Sequence, residues 1–166
     1  MRHSFTVPGN PIPQGSMKGF VVNGRAILTS AAKGLKPWRE LIAHQAAVYI
    51  AECKDGDPSC LVSFLPRGEA VEIAIRFTFV RPQSHLKKSG GLTKSAPLFK
   101  TSHPDIDKLA RAVLDALTGV FYEDDSQVVL LVVQKDYADP GCGPGVEISI
   151  DRYDSTRQRL CQSRPV

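Results

Sequence analysis

The stretch "PDIDKLARAVLDALTGVFYEDDSQVVLLVVQKDY", residues 104–137, decides how this chain folds. Leu109, Val113, Ala116 and Leu117 recur at helical spacing. They predict a helix over 107–118, with Asp107 at its N-terminal end and Gly119 as its C′ residue. The apolar run "VVLLVV" at 128–133 reads as a buried strand that continues to Tyr137. Acidic residues bracket the helix: Asp105 and Asp107 before it, Glu123, Asp124 and Asp125 after it. An aspartate at a helix start caps free N–H groups and meets the positive end of the helix dipole, worth about 1 kcal/mol, which accounts for Asp107 structurally. Neither Asp105 nor the later triplet is covered by that account.

Outward from this stretch the chain alternates strands and helices. "SFTVPG" reads as a first strand, and "PGNPIPQGSMKG" as a loop. "FVVNGRAIL" predicts a hairpin, because Asn23 and Gly24 tolerate the positive φ of a type I′ turn. Trp38, Leu41, Ile42, Ala46 and Tyr49 mark an amphipathic helix from Pro37 to about Cys53. In "VEIAIRFTFV" the residues Val71, Ile73, Ile75, Phe77 and Phe79 share one face, the pattern of a strand central to its sheet. "VEISIDRY" gives a final strand. The fold class is α+β: a single domain over 1–153 with a mixed β-sheet packed against two main helices, and a tail over 154–166 carrying Arg157, Arg159 and Arg164.

The totals agree. A chain of 166 residues builds one core of ordinary size. Lys+Arg 21 against Asp+Glu 17 gives a net charge of +4, mildly suited to a polyanionic partner. No apolar run is long enough for a signal peptide or a membrane span, so a cytoplasmic protein is expected. Cys53, Cys60, Cys142 and Cys161 lack zinc-site spacing. Cys53 and Cys60 can close a small loop if oxidised, but free thiols suit a reducing cytosol.

Chain reach joins the two acidic groups. The helix is roughly 17 Å long at 1.5 Å per residue, whereas "GVFYEDD" extends to roughly 23 Å at about 3.3 Å per residue. The segment is long enough to run back along the helix and bring Asp125, or Asp124, to Asp105 and Asp107. Three carboxylates that close repel one another unless a cation neutralises them. An all-oxygen set suits Mg²⁺, which keeps several waters and binds substrate phosphate. Arg111, one turn after Asp107, reads either as a local ion-pair partner or as a positive charge for a phosphate in its transition state.

The longest loop, 81–104, has no apolar periodicity and no acid. Arg81, Lys87, Lys88, Lys94 and Lys100 accumulate in it. It reads as a flexible basic arm able to close on phosphates. Phe99 reads as core, or alternatively as a wedge between bases. Beside the acidic cluster, the arm points to metal-dependent cleavage of nucleic acid.

At this point the residues resemble a known family. "PDIDKLARAVLDALTGVFYEDDSQV" is similar to the signature of the RusA family of Holliday-junction resolvases: Pro-Asp-x-Asp-Asn-x-x-Lys, a helix ending Leu-Asp-Ala-Leu, then Asp-Asp-x-Gln-Val. The resemblance implies an endodeoxyribonuclease that uses Mg²⁺, with Mn²⁺ as an alternative ion, and Asp105, Asp107 and Asp125 as catalytic metal-binding carboxylates. It further implies a homodimer that nicks opposed strands of branched DNA symmetrically in recombination and repair, often encoded by phages. This chain departs from the signature twice: Lys108 stands where asparagine is usual, and Arg111 where lysine is usual. Arginine cannot exchange a proton near neutral pH, so Lys108, three residues earlier on the same side of the helix, is the candidate for the missing ammonium. Two other readings remain: a junction-binding protein with little catalysis, and a PD-(D/E)xK nuclease. The last needs an acid two positions before a lysine, and Val133 occupies that place before Lys135.

Overall fold

In the computed structural model the elements follow as β1 (His3–Pro8), β2 (Met17–Val22), β3 (Arg25–Ser30), α1 (Leu35–Gly56), β4 (Val71–Phe79), α2 (Ile106–Leu117), β5 (Val128–Tyr137) and β6 (Gly145–Arg152). The structure describes residues 3–15, 17–22, 24–30, 32–56, 64–89, 91–138 and 141–153. The expected tail and the Cys53–Cys60 pairing lie outside these residues; Cys53 itself is a free thiol.

Four strands form one mixed sheet in the order β1-β6-β4-β5. β6 runs antiparallel to both β1 and β4, and β5 runs parallel to β4. β4 is therefore internal, as its alternation predicts. β2 and β3 form the separate expected hairpin, with Gly24 at φ 74° in its turn. α1 begins at Leu35 and ends at Gly56, slightly longer than its apolar pattern suggests.

Register puts Phe5 and Val7 of β1, Val146, Ile148 and Ile150 of β6, and Ile73, Ile75 and Phe77 of β4 on one face. α1 covers this face with Trp38, Ile42 and Ala46, and α2 with Leu109, Val113 and Leu117, all in one continuous core. Each such large side chain stabilises by roughly 1.5–3 kcal/mol when fully buried. Arg39 of α1 forms an ion pair with Asp115 of α2, which gives that mid-helix acid a structural role.

α2 ends at Leu117, and Gly119 takes φ 79° beyond it, the left-handed position that a glycine tolerates. The chain then folds tightly instead of running back. The Phe121 and Val120 N–H groups both donate to Leu117 O, and the fully buried Tyr122 donates its hydroxyl to Leu114 O at 2.9 Å. Burial raises the Tyr122 phenol well above its usual pKa, so it stays neutral.

Gln127 closes the turn. Its Oε1 accepts from the Glu123 and Asp124 N–H groups at 2.9 and 3.0 Å. Its Nε2 donates to Leu65 O, Pro66 O and Glu69 O at 3.3, 2.9 and 3.1 Å. One buried amide thus joins 123–127 to the segment leading into β4.

One expectation fails here. β5 is an edge strand, not a buried one: Val129, Leu130, Leu131 and Val132 are 57%, 41%, 39% and 56% exposed. Periodicity cannot separate a run buried by its own chain from one left at an edge.

Replacing Gln127 with alanine orphans several partly buried backbone groups at once. We expect Gln127→Ala to lower stability by about 3 kcal/mol in urea unfolding. A loss under 1 kcal/mol would show that water replaces these bonds easily.

Candidate active site

Asp105 is the N-cap residue of α2, and Asp107 lies in its first turn, one position further inside than the sequence suggests. The Asp105 side chain does not cap the helix. It binds Lys108 Nζ through Oδ2 at 2.7 Å and His103 Nδ1 through Oδ1 at 2.9 Å. The Lys108 ammonium, by hydrogen bond first and by charge second, holds the Asp105 carboxyl below the usual carboxylate range, with a smaller contribution from His103. The same hydrogen bond raises Lys108 above the ordinary lysine value, so it is fully charged near neutrality. Asp107 and Arg111 are exposed on the same helix.

The later acids have different duties. Glu123 accepts from the Arg67 N–H at 3.2 Å and pairs with its guanidinium at 3.4 Å. Asp124 caps the 3-10 turn Asp125–Gln127, accepting from the Ser126 N–H at 2.9 Å in a capping box with Gln127. Asp125 is exposed at the start of that turn.

The segment 118–127 does not run back along α2. Tyr122 is bonded to Leu114, near the C-terminal end of the helix, and Asp125 lies three residues before β5 begins. Asp105 lies at the other end of the helix, beside Lys135 near the far end of β5, whose ammonium donates to Pro104 O at 2.8 Å. Most of the helix, roughly 17 Å long, therefore lies between Asp105 and the later acids. Among the described residues no three His, Cys, Asp or Glu side chains gather as a metal ion requires. The expectation that Asp105, Asp107 and Asp125 meet within one chain is therefore corrected. Chain length allowed the return, but the Gln127 bonds and buried Tyr122 direct the segment elsewhere.

The basic loop carries local backbone structure. It contains a 3-10 turn over Gln83–His85, a Leu86–Leu92 bridge and a hydrogen bond from Lys87 N to Gly91 O. Arg81 donates to Pro97 O at 2.8 Å, and its guanidinium stacks 4.2 Å from the Tyr137 ring centroid. Lys100 Nζ lies 4.9 Å from the Phe79 ring centroid and donates to Ser102 Oγ and His103 O. These two cations fasten the loop, whereas Lys87, Lys88 and Lys94 are exposed. Phe99 is 64% exposed, so its reading as a core residue is also corrected.

Lys135 is the residue of this region that the sequence did not single out as functional. Its place on the inward face of the strand is disclosed only by its register beside Phe77, which is a tertiary fact.

Comparison with known proteins assigns the class. The family model for "Endodeoxyribonuclease RusA" matches residues 8–151, nearly the whole described fold. The chain is also 30% identical over 146 residues to a Bacillus subtilis (strain 168) protein named "Uncharacterized protein YqaN", covering 88% of this chain and 93% of that one. By that match this mixed α+β domain, with acids at both ends of α2 and a basic loop beside one of them, falls in an endodeoxyribonuclease family. The chain belongs to the RusA family, nucleases of the Holliday-junction-resolving kind. No described helix is long and apolar enough to cross a membrane.

Among the described residues, removing the Lys108 ammonium leaves the Asp105 carboxylate with the His103 contact. In the metal-free protein, Lys108→Met should shift the Asp105 carboxyl titration upward, toward the ordinary aspartate range. Carbon-13 NMR of the carboxyl checks this, and an unmoved titration would show that the Lys108 bond does not persist in solution.

Proposed function

We propose that the protein is a Mg²⁺-dependent Holliday-junction resolvase whose active sites are each completed by a second copy of the chain. The observation that carries this reading is the separation of Asp105 and Asp107 from Asp125, combined with an apolar edge strand between their positions. An edge strand with unpaired backbone and apolar side chains is a template for another strand. Two β5 strands, paired antiparallel about Leu130 and Leu131, set all six residues of 128–133 opposite one another. The same register sets Ser126 of the partner subunit opposite Lys135, and Asp125 of the partner subunit opposite Asp136. Lys135 already holds the backbone just before Asp105. The third carboxylate thereby arrives at the end of β5 where the first two stand.

Within one chain the donor set does not fit an ion. With the second copy, Asp105 and Asp107 of one subunit and Asp125 of the other supply hard oxygen ligands suited to Mg²⁺ or Mn²⁺. Were a divalent ion held by these carboxylates, the chemistry it would supply is a water of lowered pKa and neutralisation of charge on the attacked phosphodiester. The chain's own residues do the remaining work. Lys108 orients Asp105 and keeps its ammonium at the site, and Arg111 offers a permanent positive charge to the phosphate. Lys87, Lys88 and Lys94 meet the DNA backbone, while exposed Phe99 stacks on bases at the branch. A two-fold dimer presents two such sites to a junction of matching symmetry.

The test compares a synthetic four-way junction with a linear duplex of the same sequence, in Mg²⁺ or EDTA, for wild type and Asp107→Asn. Paired, Mg²⁺-dependent nicks confined to the junction and lost in Asp107→Asn are expected. Tight junction binding without nicking in Mg²⁺ or Mn²⁺ would instead establish a binding protein.

A further inference from the structure

Three successive backbone carbonyls precede Asp105, and each is taken by an ammonium. Lys135 Nζ donates to Ser102 O at 2.9 Å and to Pro104 O at 2.8 Å. Lys100 Nζ donates to His103 O at 2.6 Å and to Ser102 Oγ at 2.9 Å. Lys100 belongs to the basic loop itself; Lys135 comes from β5, an element of the sheet.

The place of Lys135 is unusual. It lies beside Phe77, which is fully buried, so strand alternation directs it to the helix-bearing face with Val133 and Tyr137. An apolar residue is the ordinary choice there, because partial burial of a charge is unfavourable unless it is paired. Two carbonyl oxygens compensate it. Of the two, the Ser102 carbonyl does not require it in return, because Ser102 is exposed and water would satisfy it, whereas Pro104 is half-buried. What the ammonium adds is location. His103, one of the two partners of the Asp105 carboxylate, rides on this same turn, and Lys108 rides on α2. Lys135 ties the turn to the sheet by hydrogen bonds from a strand residue, whereas Lys100 reaches the sheet only through the Phe79 and Tyr137 rings.

We infer that Lys135 is a positioning residue: its ammonium anchors the Ser102 and Pro104 carbonyls to β5 and so sets where Asp105 stands. This rests on the reading of Asp105 as a carboxylate of the nuclease site. The two ammoniums lie close together. Lys100 is lowered from the usual lysine value by burial and then by the charge of Lys135, in keeping with both converging on one short turn.

The test uses Lys135→Met, which keeps the stem and removes the charge, and Lys135→Arg, which keeps two donors. Amide NMR of the metal-free full chain is read together with single-turnover nicking and junction affinity. For Lys135→Met we expect shifts at Ser102, His103 and Asp105 with Ile75 and Ile148 unmoved. Nicking should fall about 10- to 100-fold, the usual effect of a small displacement at a reacting centre. Junction Kd should stay within about 3-fold, far from the tenfold change that 1.4 kcal/mol produces, and Lys135→Arg should recover part of the rate. An unchanged rate in Lys135→Met overturns the inference. So does a rate loss matched by an equal loss of affinity, which would make Lys135 a phosphate contact. If Asp105→Asn nicks like wild type, the reading of the site fails instead. The NMR arm then still decides whether Lys135 holds the turn, since unmoved amides at 102–105 refute that by themselves.

Discussion

The Gln127 carboxamide is the constraint on which the arrangement of this molecule depends. Five hydrogen bonds from one side chain tie the acidic turn to the segment before β4. With Tyr122 buried and bonded to Leu114, they hold residues 118–127 against the C-terminal end of α2. Everything downstream follows from that placement. β5 must start beside the first residues of β4, run parallel to it, and finish at the opposite end of the sheet, where Asp105 and Asp107 begin α2.

Separation of the acids also has an electrostatic consequence. Three carboxylates forced together in a lone chain would raise one another's pKa and oppose folding. Here Asp105 is met by Lys108 and His103, Glu123 by Arg67 and Asp124 by the turn it caps, while Asp107 and Asp125 stand exposed to solvent. In the proposed dimer the charge concentrates only where a divalent ion would neutralise it. An exposed edge such as 129–132 is normally blunted by charge, proline or a covering element. In the proposed dimer a second copy of the chain covers it.

Much of this was legible in the sequence. Period-2 alternation identified β4 as internal because neighbours on both sides bury it, and helical spacing found both helices. Asn23 and Gly24 announced the hairpin, Gly119 the end of α2. The signature around Asp105, Asp107 and Asp125 named the family. What was not legible depends on tertiary bonds. Chain reach is an upper limit on distance, and it could not foresee that Gln127 would hold the acidic turn in place. An apolar run such as 128–133 has the same composition whether its own core or a partner covers it. Phe99 looked like core material but stands exposed, and Lys135 gave no signal until its register beside Phe77 was known.

The central claim is that each site takes carboxylates from two chains, and mixed dimers test it most directly. Asp107→Asn and Asp125→Asn chains with different tags are co-expressed, and the heterodimer is purified and assayed on a four-way junction with Mg²⁺. Shared sites place both changes in one site and leave the other whole. Each variant homodimer should then be inactive while the heterodimer nicks one strand. A heterodimer as inactive as its parents would mean that each chain builds its site alone, and an active Asp125→Asn homodimer would remove Asp125 from the site altogether.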